Sequence, residues 1–250
     1  MPSWNTDDEK MEIVKNAISS FREATPEAEL VIVDNGSTVG GGYRRSEADV
    51  YIRLPKTIGY TPAIRYGMLV ANGEYLALVN DDIRMSKNWA DIVLPIFEDE
   101  DVATVHPRMI GYDEPMTFGT NTVKTGKERW CHNSCVVTTR KFLKEFERIE
   151  ENQEPYPGMF DLNYGIGGGA DDWDLYYRIR KQGYKTVYTD KCCFQHKMSF
   201  TYNKISEQRE QVVKQNNEYF EKKHGGTKEE LFTKEFPDQM NQDYRKGWEL

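Results

Sequence analysis

Three groups of residues in this sequence have the types and spacing to do chemistry. Asn80-Asp81-Asp82 puts two adjacent carboxylates directly after the apolar run 75–79. Carboxylates so placed suit a hard divalent cation, which takes oxygen ligands and keeps positions open for phosphate oxygens. The same residues also suit a plain solvated turn. Gly165-Ile166-Gly167-Gly168-Gly169-Ala170 runs into Asp171-Asp172-Trp173-Asp174. Glycines let a backbone approach a ligand closely. The aspartates are either catalytic or simply favoured at the positive end of the helix they open. His196 is the third candidate. It is either a structural imidazole or a ligand, according to whether the strand before it returns it to the face that carries the carboxylates.

A fourth grouping is weaker. Cys131, His132, Cys135, Cys192, Cys193 and His196 could gather around zinc, but a Cys-x3-Cys spacing with an adjacent Cys pair matches common zinc sites poorly. With four cysteines in 250 residues and no secretion signal, reduced thiols are the expectation.

The elements that must position these residues follow from periodicity. Thr6 and Glu9 form a possible capping box ahead of Met11, Val14, Ile18 and Phe21 at helical spacing. Residues 30–33 read as a buried strand, and Val50, Ile52 and Leu54 as a second. Thr61-Pro62 is expected to open a helix that Asn72-Gly73 ends. Residues 75–79 read as a buried strand, Ser86 as the start of a helix carrying Ile92, Val93, Ile96 and Phe97, and 102–105 as a strand. Beyond a loop-rich stretch come a strand at 133–138, a helix at 139–150, the acidic helix ending near Gly183, and a strand at 184–188. This order predicts an α/β fold: a doubly wound, mostly parallel sheet with helices on both faces, followed by a helical C-terminal tail. Ligands bind such sheets at the carboxyl ends of strands, where Asp34-Asn35-Gly36-Ser37 and Asn80-Asp81-Asp82 fall.

The chain is 38% hydrophobic and 30% charged, with a formal net charge of −8. That balance disfavours non-specific binding to nucleic acid or an anionic membrane. No stretch approaches the apolar length of a membrane span, and the N-terminus lacks the features of a secretory signal. A cytoplasmic protein is expected.

Taken together and in order, the motifs resemble those of family-2 glycosyltransferases. Pro2-Ser3-Trp4-Asn5 stands for the family's early loop, Val33-Asp34-Asn35-Gly36-Ser37 for its first acidic strand end, and Gly73-Glu74-Tyr75 for the lead-in to Asn80-x-Asp82. Asp171-Asp172-x-Asp174-Leu175-x-x-Arg178, Gly183-Tyr184, His196 and the tail Asn217-Glu218-Tyr219-Phe220 with Lys223 complete the pattern over residues 2–224. Asn80 replaces the first Asp of Asp-x-Asp, and Asp171 replaces a usual Glu. The resemblance implies a GT-A, Rossmann-like fold with 1–205 as the glycosyltransferase domain. Within it, 1–106 would hold the nucleotide sugar, 107–205 the acceptor, and 206–250 would be a helical appendage.

It also implies roles. Pro2, Trp4, Asn5, Asp34 and Asn35 hold base and ribose, with Asp34 accepting from a uracil N–H. Asp82 and His196 hold Mn2+ or Mg2+, with Asp81 in support. Asp172, beside Asp171, is the general base of an inverting transfer from a UDP-sugar to the hydroxyl of a glycan or other acceptor. Gly168 and Gly169 leave room for a sugar, and Trp130, Tyr164 and Trp173 are candidate stacking platforms. A nucleotidyltransferase and an inactive sugar-binding module are the alternative readings. A doubly wound sheet also places a central strand ahead of Pro2, where only Met1 stands. A truncated or mis-started form of a longer protein is therefore expected.

Overall fold

The computed structural model describes residues 1–119, 124–125, 133–149, 159–164, 169–197 and 206–235. Along the chain come β1 (Pro2–Ser3), α1 (Asp8–Ala24), β2 (Val31–Asp34), α2 (Gly41–Glu47), β3 (Val50–Arg53), α3 (Tyr60–Val70), β4 (Tyr75–Val79), β5 (Ile83–Met85) and α4 (Trp89–Val93), which a 3-10 turn extends. There follow β6 (Val102–Gly111), β7 (Lys124–Thr125), β8 (Cys135–Thr139), α5 (Arg140–Ile149), α6 (Asp171–Lys181), β9 (Lys185–His196), α7 (Ser206–His224) and α8 (Lys228–Glu235).

The strands form two sheets. β1, β2 and β3 pair in that order, all parallel. The larger sheet runs β4-β8-β6-β9-β5, with β7 on β9. In it β6 and β9 are parallel, while β8 and β5 run antiparallel to their neighbours. Helices cover both faces, and the period-2 alternation of the strands shows how. Leu76 and Leu78 of β4 join Ile64, Met68, Phe146 and Ile179 in one apolar cluster. Ala77 and Val79 turn to the opposite one, with Val14, Ile18, Phe21 and Trp89.

Several local expectations shift by a residue or an element, each for a visible reason. Asp7, not Thr6, caps α1, because its Oδ1 accepts from Lys10 N at 3.0 Å. Thr61 lies inside α3, whose cap is Gly59 at φ 97°. Ser86 extends the pairing of β5 instead of starting a helix: its N–H donates to Cys193 O, and its hydroxyl accepts from Cys193 N at 3.2 Å. β9 runs far past 188. Pro107 of β6 has no N–H to donate, the ladder slips between Pro107 and Arg108, and pairing resumes at Arg108↔Cys193. That slip carries β9 on to His196. Pro2 and Ser3, expected to be loop, form the two-residue strand β1 beside β2.

α7 is bound into the body by charge. Lys223 Nζ lies 2.7 Å from both Asp161 Oδ2 and Asp174 Oδ1, and His224 Nε2 lies 2.8 Å from Asp174 Oδ1. Arg178 Nε donates to Asp174 Oδ2 at 2.7 Å across one helical turn, the pairing that the i,i+4 spacing predicts. Among the described residues no helix is long and apolar enough to cross a membrane.

Burial alone would push the Asp174 carboxyl up. Arg178, His224 and Lys223 outweigh it and hold the group well below the usual carboxylate range. A depressed carboxylate contributes stability that is present above the unfolded value near ~4 and is lost as pH falls toward the folded one. Asp174→Asn is therefore expected to cost about 3–5 kcal/mol, because it leaves buried cations unmatched. Urea midpoints at pH 7 measure this, and the variant's stability should fall less than the wild type's between pH 4 and pH 2.

Candidate active site

Parallel pairing of β1 with β2 delivers two polar strand ends side by side. Asn35 N donates to Ser3 O at 2.7 Å, Thr38 N to Asn5 O at 2.8 Å, and Asn5 N to Ser37 Oγ at 2.9 Å. Gly36 makes the turn at φ 81°, where a Cβ would collide with the backbone of Lys56 and Thr57. Asn35 spends both ends of its amide on the loop before α3, donating to Gly59 O and accepting from Ile58 N, each at 2.9 Å. Its role here is to brace that loop. Pro2 packs toward the apolar interior and not toward this polar edge. Trp4 is half-buried, and its carbonyl accepts from Lys10 Nζ at 2.7 Å.

Asp34 is fully buried at the centre of this edge. Its Oδ1 accepts from Ser37 N at 2.9 Å; its Oδ2 accepts from Tyr51 at 2.6 Å, Arg53 at 2.5 Å and Arg44 at 3.4 Å. Burial would push the carboxyl up, but the hydrogen bonds from Tyr51 and Ser37 and the charge of Arg44 hold it down. The oxygens expected to meet a nucleotide base are thus already engaged. Arg53, with its side chain 48% exposed, is the partner with room to give way.

Asp81 and Asp82 diverge. Asp81 turns back toward β1, accepting from Ser3 Oγ at 2.8 Å with Lys10 Nζ 3.6 Å away. It ties the end of β4 to the end of β1. Asp82 turns the other way, to β9. Ile83 pairs with His196, and Lys197 N donates to Asp82 O at 3.0 Å. This sets His196 Nε2 3.2 Å from Asp82 Oδ1. That oxygen is buried, yet it makes no hydrogen bond. A buried carboxylate oxygen without a donor, facing an imidazole nitrogen, is a donor set that a divalent cation fits. Among the described residues no group of three or more His, Cys, Asp or Glu gathers around a point. The protein would thus offer two ligands and leave the rest to phosphate and water oxygens.

The acidic motif opens α6, which packs on β9. Asp172 Oδ1 accepts from Trp173 N at 2.9 Å. Burial pushes both Asp171 and Asp172 up, and the charge of Asp171 raises Asp172 further. Lys228 of α8 opposes that rise. Its own ammonium is pushed down by burial and lies 5.4 Å over the Trp173 ring.

The aromatic and glycine expectations change here. Tyr164 is buried with its ring edge-on to Tyr219 at 5.0 Å, and Trp173 packs against the same cluster. Both serve the seat of α7 and do not form open platforms. Gly169 sits at φ 123°, where a Cβ would meet Val213 and Asn216 of α7. It is required by its backbone conformation and by that approach. Gly168, Trp130, Cys131 and His132 lie outside the described residues. Cys135, Cys192 and Cys193 are buried free thiols, and burial pushes Cys192 up to about 12. That favours apolar packing over thiolate ligation.

Sequence reasoning missed Arg44, Arg53, Tyr51, Lys10 and Lys228. α2 carries Arg44 and lacks a strong apolar period. The two residues of alternating β3 that could be noticed are Tyr51 and Arg53, which share the face opposite its apolar positions.

The parallel sheet edge lined with carboxylates, the Asp–His pair and the acidic start of α6 are carried on a fold of the GT-A type. The model for glycosyl transferase family 2 matches residues 1–161, and the chain belongs to that family. The fold is similar to that of GalNAc-T7 solved with UDP, GalNAc and Mn2+: 16% identity, TM-score 0.58, covering 74% of this chain and 40% of that one. It is also similar to residues 1–349 of S. aureus TarS, at 13% identity and TM-score 0.56, covering 88% and 70%. A third likeness is to the mannosyltransferase PcManGT from Pyrobaculum calidifontis with GDP-Man and Mn2+, at 18% identity and TM-score 0.53, covering 77% and 54%. The chain thus spans less than two thirds of the first and third of these proteins. No curated protein matches it in sequence.

The Asp34 network gives a direct test of this edge. Asp34→Asn leaves Arg44 buried without its counter-charge and is expected to cost about 3–5 kcal/mol. Arg53→Ala, at an exposed partner, should cost about 1 kcal/mol or less. Denaturant unfolding of both variants checks the ranking.

Proposed function

We propose that this protein transfers a sugar from a nucleoside-diphosphate donor, a UDP-sugar, to an acceptor hydroxyl with inversion, using Mn2+ or Mg2+. The observation that carries this reading is the buried, hydrogen-bond-free Asp82 Oδ1 beside His196 Nε2. Two of the similar structures hold Mn2+, one with UDP and one with GDP-Man. Residues 1–106 would take the donor and 107–205 the acceptor, with α7 bracing the acidic motif through Asp174.

Asp82 and His196 would hold the cation, whose positive charge would stabilise the departing diphosphate. Trp4 and Asn5 would border the nucleotide, and Arg53 would yield Asp34 to the base. Asp172 would take the proton of the acceptor hydroxyl. The freed oxygen would form its bond to the anomeric carbon from the face opposite the nucleotide, as the bond to the diphosphate oxygen breaks. A carboxyl pushed up by burial and by Asp171 is a stronger base than an ordinary aspartate.

A donor panel scored for nucleoside diphosphate release tests the reading, with EDTA expected to abolish release and Mn2+ to restore it. Pyrophosphate release would instead make the protein a nucleotidyltransferase. Glycan binding in calorimetry without turnover on any donor would make it a binding module. Asp82→Ala should weaken Mn2+ binding measured by electron paramagnetic resonance with UDP present, independently of turnover.

Asp172→Asn is expected to lower kcat by about 10²-fold or more with the fold intact. Asp171→Asn removes a like charge, lowers the pKa of Asp172 and so moves the acid limb of the kcat profile to lower pH. Near-normal turnover in Asp172→Asn together with a dead Asp171→Asn would transfer the role of base to Asp171.

A further inference from the structure

Asp81 and Asp82 are adjacent carboxylates, both buried, and a hard cation takes whatever oxygen ligands are within reach. One hydroxyl separates their fates. Ser3 Oγ is buried, accepts from Arg44 Nε at 2.8 Å and donates to Asp81 Oδ2 at 2.8 Å. The direction of the second bond follows from the first. A guanidinium only donates, an ionised carboxylate only accepts, and a hydroxyl has a single hydrogen. With Arg44 donating on one side, the hydrogen of Ser3 goes to Asp81.

Arg44 is itself held in place. It is fully buried, and its Nη1 donates to Val39 O at 2.9 Å and lies 3.4 Å from Asp34 Oδ2. Ser3 thus cannot leave its position without stranding a buried guanidinium N–H, nor turn its hydrogen elsewhere without stranding Asp81 Oδ2. The other oxygen of Asp81 faces Lys10 Nζ at 3.6 Å, an ammonium anchored on Trp4 O at 2.7 Å. Both oxygens of Asp81 are therefore drawn back toward β1 and α1. Asp82 has no such tether: its Oδ1 is buried without a hydrogen bond, 3.2 Å from His196 Nε2.

We propose that Ser3 is a positioning residue: its hydroxyl holds Asp81 back against β1, so that Asp82 and His196 alone supply the protein ligands of the cation. This inference rests on the proposed pairing of Asp82 with His196 around that cation. Ser3 acts through Asp81 and not by contact with the ion.

Mn2+ binding without nucleotide, followed by electron paramagnetic resonance of the free ion, tests it in a double-mutant cycle. In the wild-type background Asp82→Asn is expected to weaken Mn2+ about tenfold or more, and Asp81→Asn by much less. In the Ser3→Ala background Asp81 is released to join the ligands, so Asp81→Asn now weakens Mn2+ about tenfold or more as well. The released carboxylate also displaces a water from the ion, so water-proton relaxation by bound Mn2+ is weaker in Ser3→Ala than in the wild type. Ser3→Thr keeps the hydroxyl and the wild-type pattern. Ser3→Cys offers a weaker donor, gives the same transfer in part, and serves where Ser3→Ala is too unstable to measure. A purely structural role for Ser3 would lower the Tm of Ser3→Ala and leave the response to Asp81→Asn as small as in the wild type. That outcome, with Asp82→Asn still weakening Mn2+, overturns this inference alone. So does a wild-type background in which Asp81→Asn weakens Mn2+ as much as Asp82→Asn does. No effect of Asp82→Asn in the wild type overturns the cation site of the proposed function, and this inference with it.

Discussion

A buried carboxylate must meet donors and cations, or give up its charge. Asp34, Asp81, Asp82 and Asp174 are all buried, and the architecture around them follows from that requirement. Asp34 is met by Arg44, Arg53, Tyr51 and Ser37, which draws α2 and β3 onto the end of β2. Asp81 is met by Ser3 and Lys10, which joins β1 and α1 to the end of β4. Asp174 is met by Arg178, Lys223 and His224, which fastens α7 to the body. These matches are internal and complete, so those residues hold the structure.

Asp82 is the exception that the others make meaningful. Asp34, Asp81 and Asp174 are satisfied, yet one oxygen of Asp82 is buried beside an imidazole with no hydrogen bond. Native structures rarely leave such a group unmatched without a functional reason. The acidic start of α6 is a second region, where the charge is only partly offset by Lys228. There burial and like charge raise Asp172 instead of pairing it away. On the proposed reading the two sites would have complementary tasks: one would hold the cation that offsets the charge of a leaving diphosphate, and the other would accept a proton.

The C-terminal helices belong to this arrangement. Phe220 is fully buried against Tyr177, Tyr219 packs on Tyr164, and Val213 and Asn216 face Gly169. α8 brings Lys228 over Trp173, beside the two raised carboxyls. The segment that reads from its polarity as an appendage therefore forms one wall of the acidic motif. Its polarity hides the few buried side chains that do the fastening.

By itself, the sequence determined which strands are buried, because apolar runs such as 30–33 and 75–79 have no other stable place. It also determined that carboxylates stand at the ends of those strands, and that Asp174 and Arg178 share a helix face, since these are local consequences of spacing. Tertiary structure alone decided which carboxylates are spent on structure and which are left over. Asp81 and Asp82 are neighbours of the same type, and only the positions of β1 on one side and β9 on the other send one to Ser3 and the other to His196. The two cationic partners of Asp34 sit 10 and 19 residues away. Nothing local marks Arg44, and the alternation of β3 marks Arg53 only as facing away from the apolar positions, because a long-range ion pair is set by where strands and helices pack.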